Sequence, residues 1–501
     1  MSLKSFLAKP YAGLIVRDIH KWTQDAQRAQ EFLFHQLLLK ARNTAFGKAH
    51  GFADITTYEQ FCRQVPLRDY EAFTPFINQI KEGAPNVLWN GKPIYFAKSS
   101  GTTSGVKYIP ISKDSISNHI HSARNALLLY IANKGNSQFV SGNMIFLSGS
   151  PEMEQINGIH TGRLSGIVNH HVPAYLRGNQ LPTYKTNCID DWETKVDAIV
   201  EETYRRNMTL ISGIPPWVQM YFDRLLQKTG KKKIKEIFPN LQLLVYGGVN
   251  FQPYKKHLFD TIGEEIDSIE TYPASEGFIA YQDTIAHQGL LLNVDSGIFF
   301  EFVPVSEIHQ PNPTRLMLRD VQLNEHYAII LNTNAGLWSY IIGDTVRFVS
   351  LKPYRIVVTG RIKHFISAFG EHVIAEEVDA SLAEACSQFN VNVVEYTVAP
   401  QIQGSEPLPY HEWFIEFEQP PSDMPAFRLY LDACMQRKNI YYADLITGKV
   451  LQPLQIVPMR QHAFIDYMKS KGRLGGQNKL PRLKNDREIA DELRGTPNYF
   501  Y

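Results

Sequence analysis

Residues 97–110, which read AKSSGTTSGVKYIP, constrain the fold more than any other stretch, because they place a polar, glycine-containing loop between two β-like segments. Glycine permits backbone angles that turn successive N–H groups toward one anion, hydroxyl groups add donors, and Lys107 supplies a counter-charge. The run therefore predicts a strand–loop–strand unit that binds phosphate. The loop residues expected to contact phosphate are Ser99, Ser100, Gly101, Thr102 and Thr103.

This loop differs from a Walker A motif, in which Gly-Lys is followed directly by Ser or Thr and then by a helix. Here Lys107 runs into Tyr-Ile-Pro-Ile, and Pro110 with its β-rich neighbours favours a strand. A polar hairpin without a ligand is the alternative interpretation, since Ser, Thr and Gly are common in loops.

The composition describes a folded chain of ordinary charge. Its 501 residues exceed the usual size of one hydrophobic core, so two or three units are expected. A net charge of +1 gives no overall field for nucleic acid or an anionic membrane, and four widely spaced cysteines argue against a zinc ribbon or a disulfide framework. The longest apolar run near the N-terminus, residues 11–16, is too short for a secretory signal. We therefore expect a cytoplasmic protein with no nucleic-acid or membrane partner.

Hydrophobic periodicity predicts alternating helices and strands. Helical spacing runs through residues 18–41, 113–132, 192–206 and 216–229. Strand-like segments are residues 94–97, 108–111, 143–148, 209–212, 241–246, 268–272, 297–303, 328–331 and 347–350. The alternation predicts α/β layers, and the crowded strands after residue 290 predict a more antiparallel, barrel-like part. Residues 149–186 show little periodicity, so we expect an irregular insertion of the kind that often forms a functional lid.

A second motif, residues 270–277, reads ETYPASEG and follows a β-like run. Its Tyr272 is suited to lie against an adenine ring, and the pair Ser275 and Glu276 presents a carboxylate for phosphate-bound Mg²⁺. Mg²⁺ binds one or two carboxylates together with phosphate oxygens and water, so a single glutamate suffices. A solvated polar turn is the alternative interpretation.

Two later motifs carry further candidate residues. Residues 338–347, WSYIIGDTVR, end a strand in Gly-Asp, which allows close backbone approach and presents Asp344 to ribose hydroxyl groups. An ordinary turn is again the alternative. Residues 360–373, GRIKHFISAFGEHV, begin with the charges of Arg361 and Lys363 and predict a flexible link between a strand and a helix.

The order of these motifs resembles that of the adenylate-forming superfamily, which includes acyl-CoA ligases, luciferases and peptide-synthetase adenylation domains. The chain is most similar to the auxin-responsive acyl acid amido synthetases, the Gretchen Hagen family, which also has bacterial members. The closer resemblance rests on the Ser-Ser-Gly-Thr loop, the segment 65–83 before it, the late motif GGQNKLPRL at 475–483 and the apolar-basic helix at 462–471. Ile341 stands where the family usually has arginine, and the loop before Lys107 is shorter than in plant members.

The resemblance implies a two-step reaction that uses ATP and Mg²⁺. A small-molecule carboxylic acid is adenylated with release of pyrophosphate, and an amine, expected to be an amino acid, then takes the acyl group with release of AMP. In this scheme the loop residues hold the β- and γ-phosphates, Tyr272 stacks on adenine, Asp344 binds the ribose and Glu276 holds Mg²⁺. Lys479 in the C-terminal part would reach the α-phosphate and the reacting carboxylate.

The resemblance also implies a mixed α/β adenylate-forming fold. A large N-terminal domain of α/β layers plus a β-barrel would span residues 1–357, and a small mobile α+β lid would span residues 358–501, with Arg361 at the hinge. Acid specificity is expected from Trp217, Tyr246, Gly247, Gly248, Val249 and Arg163, although Tyr-Gly-Gly is also typical of a plain strand-to-helix turn. An acyl-CoA ligase with a thiol acceptor and a non-enzymatic nucleotide-binding regulator are the alternative functions, and a monomer or weak oligomer is expected.

Overall fold

The structure is a computed structural model that describes residues 3–100, 106–172, 177–248, 251–362, 365–366, 371, 373–402, 408–448, 450–474 and 479–500. Within these ranges no helix is long and apolar enough to cross a bilayer. The chain divides into two compact units. The first comprises Met1–Ile214, Tyr221–Gly248 and Ile266–Val357, and the second comprises Pro215–Met220, Val249–Glu265 and Val358–Tyr501.

Helices and strands alternate along much of the chain. The α-helices of the described residues are α1 (Leu3–Gln24), α2 (Ala26–Ala41), α3 (Ala45–Ala49), α4 (Tyr58–Gln64), α5 (Tyr70–Lys81), α6 (Lys113–Lys134), α7 (Leu164–His170), α8 (Tyr184–Asn187), α9 (Trp192–Thr203), α10 (Pro215–Thr229), α11 (Gln252–Ile262), α12 (Ala375–Phe389), α13 (Met424–Lys438), α14 (Ile440–Thr447), α15 (Ala463–Ser470) and α16 (Glu488–Arg494). Their strands are β1 (Tyr95–Ser100), β2 (Val106–Ile111), β3 (Asn143–Phe146), β4 (Glu154–Ile156), β5 (Ile159–Gly162), β6 (Gln180–Leu181), β7 (Met208–Ser212), β8 (Leu243–Gly247), β9 (Asp267–Pro273), β10 (Phe278–Tyr281), β11 (Leu290–Leu292), β12 (Ile298–Pro304), β13 (His326–Thr333), β14 (Tyr340–Leu351), β15 (Tyr354–Arg361), β16 (Phe365–Ile366), β17 (Val373–Ile374), β18 (Val393–Gln401), β19 (Tyr410–Phe417) and β20 (Gln455–Met459). The predicted mixed α/β class is confirmed.

One eleven-stranded sheet runs through the first unit, in the order β12-β13-β14-β15-β11-β10-β9-β8-β7-β3-β6. Five neighbouring strands, in the spatial order β6-β3-β7-β8-β9, pair in parallel. The next two, β10 and β11, continue the sheet beside β9 as antiparallel neighbours. The crowded strands after residue 290 therefore continue the same sheet as its antiparallel part. The carboxyl ends of the parallel strands lie along one edge, which is where open α/β sheets bind ligands.

Helix α6 connects the β1–β2 hairpin to this sheet. It begins at Ser112, whose side chain accepts hydrogen bonds from the backbone N–H groups of Asp114 and Ser115, and ends at Gly135 with φ 65°. Its apolar face shares one core with α1 and the parallel strands. Members of this core are Ala12, Ile19, Ala126, Leu129, Ile131, Leu210, Leu243 and Ile269.

The expectation of an irregular insertion over residues 149–186 is wrong. This segment contains β4, β5, α7, β6 and α8, and a four-stranded sheet forms in the order β2-β1-β5-β4. Strand β5 pairs in parallel with β1, Tyr95 opposite His160 and Ala97 opposite Gly162. The strands here have only two to four residues, so their alternation of apolar and polar side chains is too short to be recognised in the sequence.

The second unit is built on the three-stranded sheet β18-β19-β20. Helices α12 and α13 contribute to one core, which includes Leu382, Trp413 and Leu431. A second core includes Phe414 from the neighbouring position of β19 together with residues of α15 and α16. Because successive strand residues point to opposite faces, the sheet is covered on both sides.

Candidate functional site

The predicted phosphate loop joins an antiparallel hairpin, as the sequence indicated. Strands β1 and β2 pair with Ser99 opposite Lys107 and Ser100 opposite Val106. Residues 101–105, which include Gly101, Thr102 and Thr103, lie outside the described residues. Their contact with phosphate stays a prediction.

Lys107 lies at the loop end of this hairpin, near Tyr70 at the start of α5. Its Nζ is 5.5 Å from the centroid of the Tyr70 ring. The hydroxyl of Tyr70 in turn accepts a hydrogen bond of 2.7 Å from the backbone N–H of Tyr108. Tyr70, from the helix that precedes the hairpin in the sequence, therefore contacts both the Lys107 side chain and the backbone next to it.

A bulge in β14 places Asp344. Strands β13 and β14 pair at Ile330–Ile341 and again at Ala328–Thr345, so that three residues of β14 stand opposite one residue of β13. Gly343 in the bulge has φ 94°, a conformation that favours glycine. Bulges re-aim side chains, and here the carboxylate turns inward.

The re-aimed carboxylate meets the tyrosine of the second motif. The hydroxyl of Tyr272, on β9, donates a hydrogen bond of 2.5 Å to Oδ2 of Asp344. Both residues are buried, with 8% and 6% of their surface exposed. The structure thus brings together the residues predicted to contact adenine and ribose.

Glu276 lies beside this pair at the tip of the β9–β10 hairpin. Ala274 and Gly277 exchange backbone hydrogen bonds of 2.9 and 3.2 Å, which leaves Ser275 and Glu276 as a two-residue loop. Burial raises the pKa of the Glu276 carboxyl, Lys107 acts to lower it and Asp344 adds to the rise. The carboxylate is therefore close to one cation and one anion of the site, and it is more enclosed than a solvated turn would be.

The predicted acid-binding residues of the first unit lie at the carboxyl ends of the parallel strands. Tyr246 pairs with Glu270 and Gly247 with Thr271, and a Cβ at Gly247 would lie 2.2 Å from the carbonyl oxygen of Thr271. Only glycine fits there. Gly248 follows with φ 82°, whereas Val249 lies outside the described residues.

Arg163, the other predicted acid-binding residue, belongs to a partly buried cationic corner after β3. A Cβ at Gly149 would lie 2.8 Å from Cδ of Arg163, so the arginine covers the backbone there. Lys195 donates hydrogen bonds from Nζ to the carbonyl oxygens of Ser148, at 3.0 Å, and Asn187, at 2.6 Å. Burial lowers the pKa of Lys195 to about 8, and Arg163 acts in the same direction. Lys195 was not among the residues predicted from the sequence, because a lysine in an amphipathic helix is ordinarily exposed.

Glu270 was also missed as a candidate residue. It precedes Tyr272 by two positions in β9, so both side chains point to the same face of the sheet. Burial raises the pKa of the Glu270 carboxyl to about 7. The sequence did contain a signal for Glu270, because an acidic side chain within a strand that is expected to be buried often has a functional role.

Three predicted residues belong to the second unit. Trp217 is buried in the first turn of α10, Arg361 is the exposed last residue of β15, and Lys479 is exposed at the start of a described segment. Their predicted roles toward ATP and acid stay predictions.

No group of three or more His, Cys, Asp or Glu side chains suited to a metal occurs among the described residues. A lone carboxylate at Glu276 nevertheless fits Mg²⁺, because this ion is commonly held by one or two carboxylates together with substrate phosphates and water.

Comparison with known families accounts for this arrangement of motifs. Three models match consecutive parts of the chain: the GH3 family N-terminal domain over residues 15–191, the central domain over 291–361 and the C-terminal domain over 376–488. The chain belongs to the GH3 family. The resemblance inferred from the motifs is therefore confirmed.

Plant GH3 proteins are among its relatives. Indole-3-acetic acid-amido synthetase GH3.3 of Arabidopsis thaliana is 21% identical over 565 aligned positions, which cover 95% of this chain and 93% of that protein. Jasmonoyl–L-amino acid synthetase JAR4 of Nicotiana attenuata is 21% identical and covers 66% of this chain and 68% of its own length.

Solved structures share the fold. The acyl acid amido synthetase AtGH3.15 in complex with 2,4-DB aligns with a TM-score of 0.79 at 15% identity, over 98% of this chain and 96% of that one. A 2-hydroxyisobutyryl-CoA ligase in the postadenylation state aligns with a TM-score of 0.61 at 12% identity, over 94% and 92% of the two chains. This chain therefore shares its fold with a GH3 acyl acid amido synthetase and with a 2-hydroxyisobutyryl-CoA ligase.

Proposed function

We propose that this GH3 protein is an ATP-dependent acyl acid amido synthetase that joins a small carboxylic acid to an amino acid. The observation that carries the proposal is the hydrogen bond between Tyr272 and Asp344 beside Glu276 and Lys107. These residues come from distant motifs, and each has the chemistry that one part of a Mg²⁺–ATP complex requires. Relatives named as indole-3-acetic acid-amido and jasmonoyl–L-amino acid synthetases support the same reaction class.

The reaction needs ATP because a free carboxylate has no good leaving group. An oxygen of the carboxylate attacks the α-phosphorus and pyrophosphate leaves, which gives a mixed anhydride. The amine then attacks the acyl carbon, the bond from that carbon to the bridging oxygen breaks, and AMP leaves while the amine loses a proton. The protein contributes mainly in-line positioning and stabilisation of charge.

The described residues divide these tasks. Tyr272 would cover the adenine face while its hydroxyl orients Asp344, whose remaining carboxylate oxygen accepts from the ribose. Ser99 and Lys107 would bind the triphosphate together with the loop between them. Glu276 would hold Mg²⁺, which when bound neutralises phosphate charge. Lys479 would approach the α-phosphate and the reacting carboxylate.

The acid is expected at the carboxyl ends of the parallel strands. Tyr246 offers a buried aromatic wall, and Arg163 with Lys195 provides positive charge next to the end of β3. Acids of aromatic or cyclic shape with one carboxylate fit this combination best.

Pyrophosphate release from Mg²⁺–ATP tests the proposal. The panel contains indole-3-acetic, jasmonic, benzoic and short aliphatic acids, each assayed alone, with the twenty amino acids and with CoA. Acid-dependent release that an amino acid stimulates, and that Lys479→Ala lowers sharply but Lys471→Ala leaves intact, supports amide synthesis. Stimulation by CoA alone would identify an acyl-CoA ligase, and ATP binding without release for any acid would identify a nucleotide-binding regulator.

A further inference from the structure

The segment that follows Lys479 is bound to the edge of the sheet in the second unit. We refer to residues 480–484 as the strap. Thr397 Oγ1 donates a hydrogen bond of 2.7 Å to the carbonyl of Pro481, and the N–H of Val398 donates one of 2.8 Å to the carbonyl of Arg482. The N–H of Lys484 donates back to the carbonyl of Val398 at 3.1 Å. The strap therefore extends the sheet beside β18 as a short parallel segment.

Two leucines of the strap enter two different cores. Leu480 is 9% exposed and packs with Ala399 and Phe414, whereas Leu483 is 1% exposed and belongs to the core around Trp413. The strap is thus held on both faces of the sheet. The exposed Lys479 directly precedes the strap, three residues before Arg482.

Arg482 is the most heavily bonded side chain of the strap. Its Nη1 is 3.5 Å from Oδ1 of Asp379 and its Nε is 3.4 Å from Oε1 of Glu395. The guanidinium lies over two tyrosine rings, 4.7 Å from the centroid of Tyr254 and 5.0 Å from that of Tyr396, and it donates to the Tyr254 hydroxyl. The hydroxyl of Tyr254 donates to the carboxylate of Glu395 at 3.0 Å.

A buried ionic cluster of this kind is weak evidence for added stability, because hydrophobic side chains of similar volume often stabilise a protein as well. The partners of Arg482 instead fix the position of its guanidinium, a planar group with five hydrogen-bond donors. Tyr254 lies on α11, Asp379 on α12 and Glu395 on β18, so three elements of the second unit determine where Arg482 lies. Lysine, as a point charge on a flexible chain, cannot bind all of these partners at once.

We propose that Arg482 is a positioning residue for Lys479, and this inference rests on the role of Lys479 in the proposed function. The cluster holds the strap in register with β18, and the strap in turn sets where the Lys479 amine can reach. Pro481 restricts the backbone between the two residues, so a shift of Arg482 is passed on to Lys479. Displacement of a reacting group by about 1 Å is sufficient to slow a reaction about 100-fold.

Acid-dependent exchange of labelled pyrophosphate into ATP, with the panel acid that gives the fastest rate, measures this effect. Arg482→Lys and Tyr254→Phe are compared with Tyr442→Phe, which removes another buried tyrosine hydroxyl of the same unit, one that donates to Asp432 at 2.6 Å. We expect Arg482→Lys to lower kcat at least tenfold, with an unchanged KM for ATP, and Tyr254→Phe to lower it less. Tyr442→Phe should keep wild-type kcat although it also lowers the melting temperature.

A double-mutant cycle separates positioning from general damage. In the Lys479→Ala background, Arg482→Lys should cause no further loss of exchange, because the group that it positions is already gone. Hydrogen exchange at the Lys484 amide should accelerate in Arg482→Lys and not in Tyr442→Phe. A further tenfold loss in the double mutant would overturn the inference. Full activity of Lys479→Ala would overturn both the inference and the role of Lys479, whereas a strongly impaired Lys479→Ala with a fully active Arg482→Lys would overturn the inference alone.

Discussion

The hydroxyl of Tyr272 donates a hydrogen bond of 2.5 Å to the carboxylate of Asp344, although 72 residues separate them in the chain. The contact joins β9 to the bulge of β14 inside one sheet. An aromatic ring and a carboxylate are thereby held together as one buried unit.

Tyr272→Phe should raise the KM for ATP about tenfold and change kcat less. The ring remains for stacking, but a hydrogen bond to a charged group contributes about 1.5–3 kcal/mol and 1.4 kcal/mol corresponds to about a factor of ten. Tyr130→Phe is the matched control, since its hydroxyl donates to Asp267 at 2.8 Å at the far end of the same strand. An equal rise of KM in both variants would contradict a role of the Tyr272 hydroxyl at the nucleotide.

Gly343→Ala should weaken ATP binding and also lower the melting temperature. No atom lies within 4 Å of the added Cβ, so the cost comes from the φ of 94°, which disfavours L-residues by about 1–2 kcal/mol. Gly135→Ala provides the control, because φ is 65° at the end of α6 and its Cβ also meets no atom within 4 Å. Both variants should lose similar stability, but only Gly343→Ala should raise the KM for ATP.

Glu270→Gln should stabilise the protein at alkaline pH. Burial raises the pKa of the Glu270 carboxyl from 4.5 to about 7 in the folded state, so the folded protein holds this proton more tightly than the unfolded chain does. Stability from this group is complete below pH 4.5 and is lost as the pH rises through about 7, by about 3 kcal/mol in total. The melting temperature of the variant should exceed that of the wild type at pH 8 and match it near pH 4.5. A pH-independent difference would refute the ionisation of a buried Glu270.

Glu276→Gln should increase the Mg²⁺ concentration needed for half-maximal pyrophosphate release by about tenfold, because a charged ligand is replaced by a neutral amide. Saturating Mg²⁺ should restore part of the rate. Glu325→Gln, at an exposed position of the same unit, serves as the control. An unchanged Mg²⁺ requirement in Glu276→Gln would remove Glu276 as the metal ligand.

Local patterns predicted the elements of this protein better than their arrangement. Helix α6, predicted over residues 113–132, spans Lys113–Lys134, because its helical period and the capping Ser112 directly before it are local features of the sequence. The β4–β5 pair escaped prediction, since its partner β1 lies about sixty residues earlier in the chain.

The residues of the candidate site were likewise predicted only where a local motif contained them. Residues such as Glu276 and Asp344 were recognised from motifs, which state the chemistry of a side chain but not its neighbours. Lys195 and Arg482 were not recognised, because only the folded chain buries their charges among partners from other elements. Motif spacing along one strand or loop carries no information about such long-range contacts.

Transfer of ¹⁸O from the acid tests the central claim most directly. With a carboxylic acid labelled in both oxygens, an amino acid and Mg²⁺–ATP, mass spectrometry of the products follows each oxygen. Adenylation followed by amide formation predicts one labelled oxygen in AMP, one in the amide product and none in pyrophosphate. Labelled inorganic phosphate together with ADP would instead require an acyl phosphate and would contradict the account.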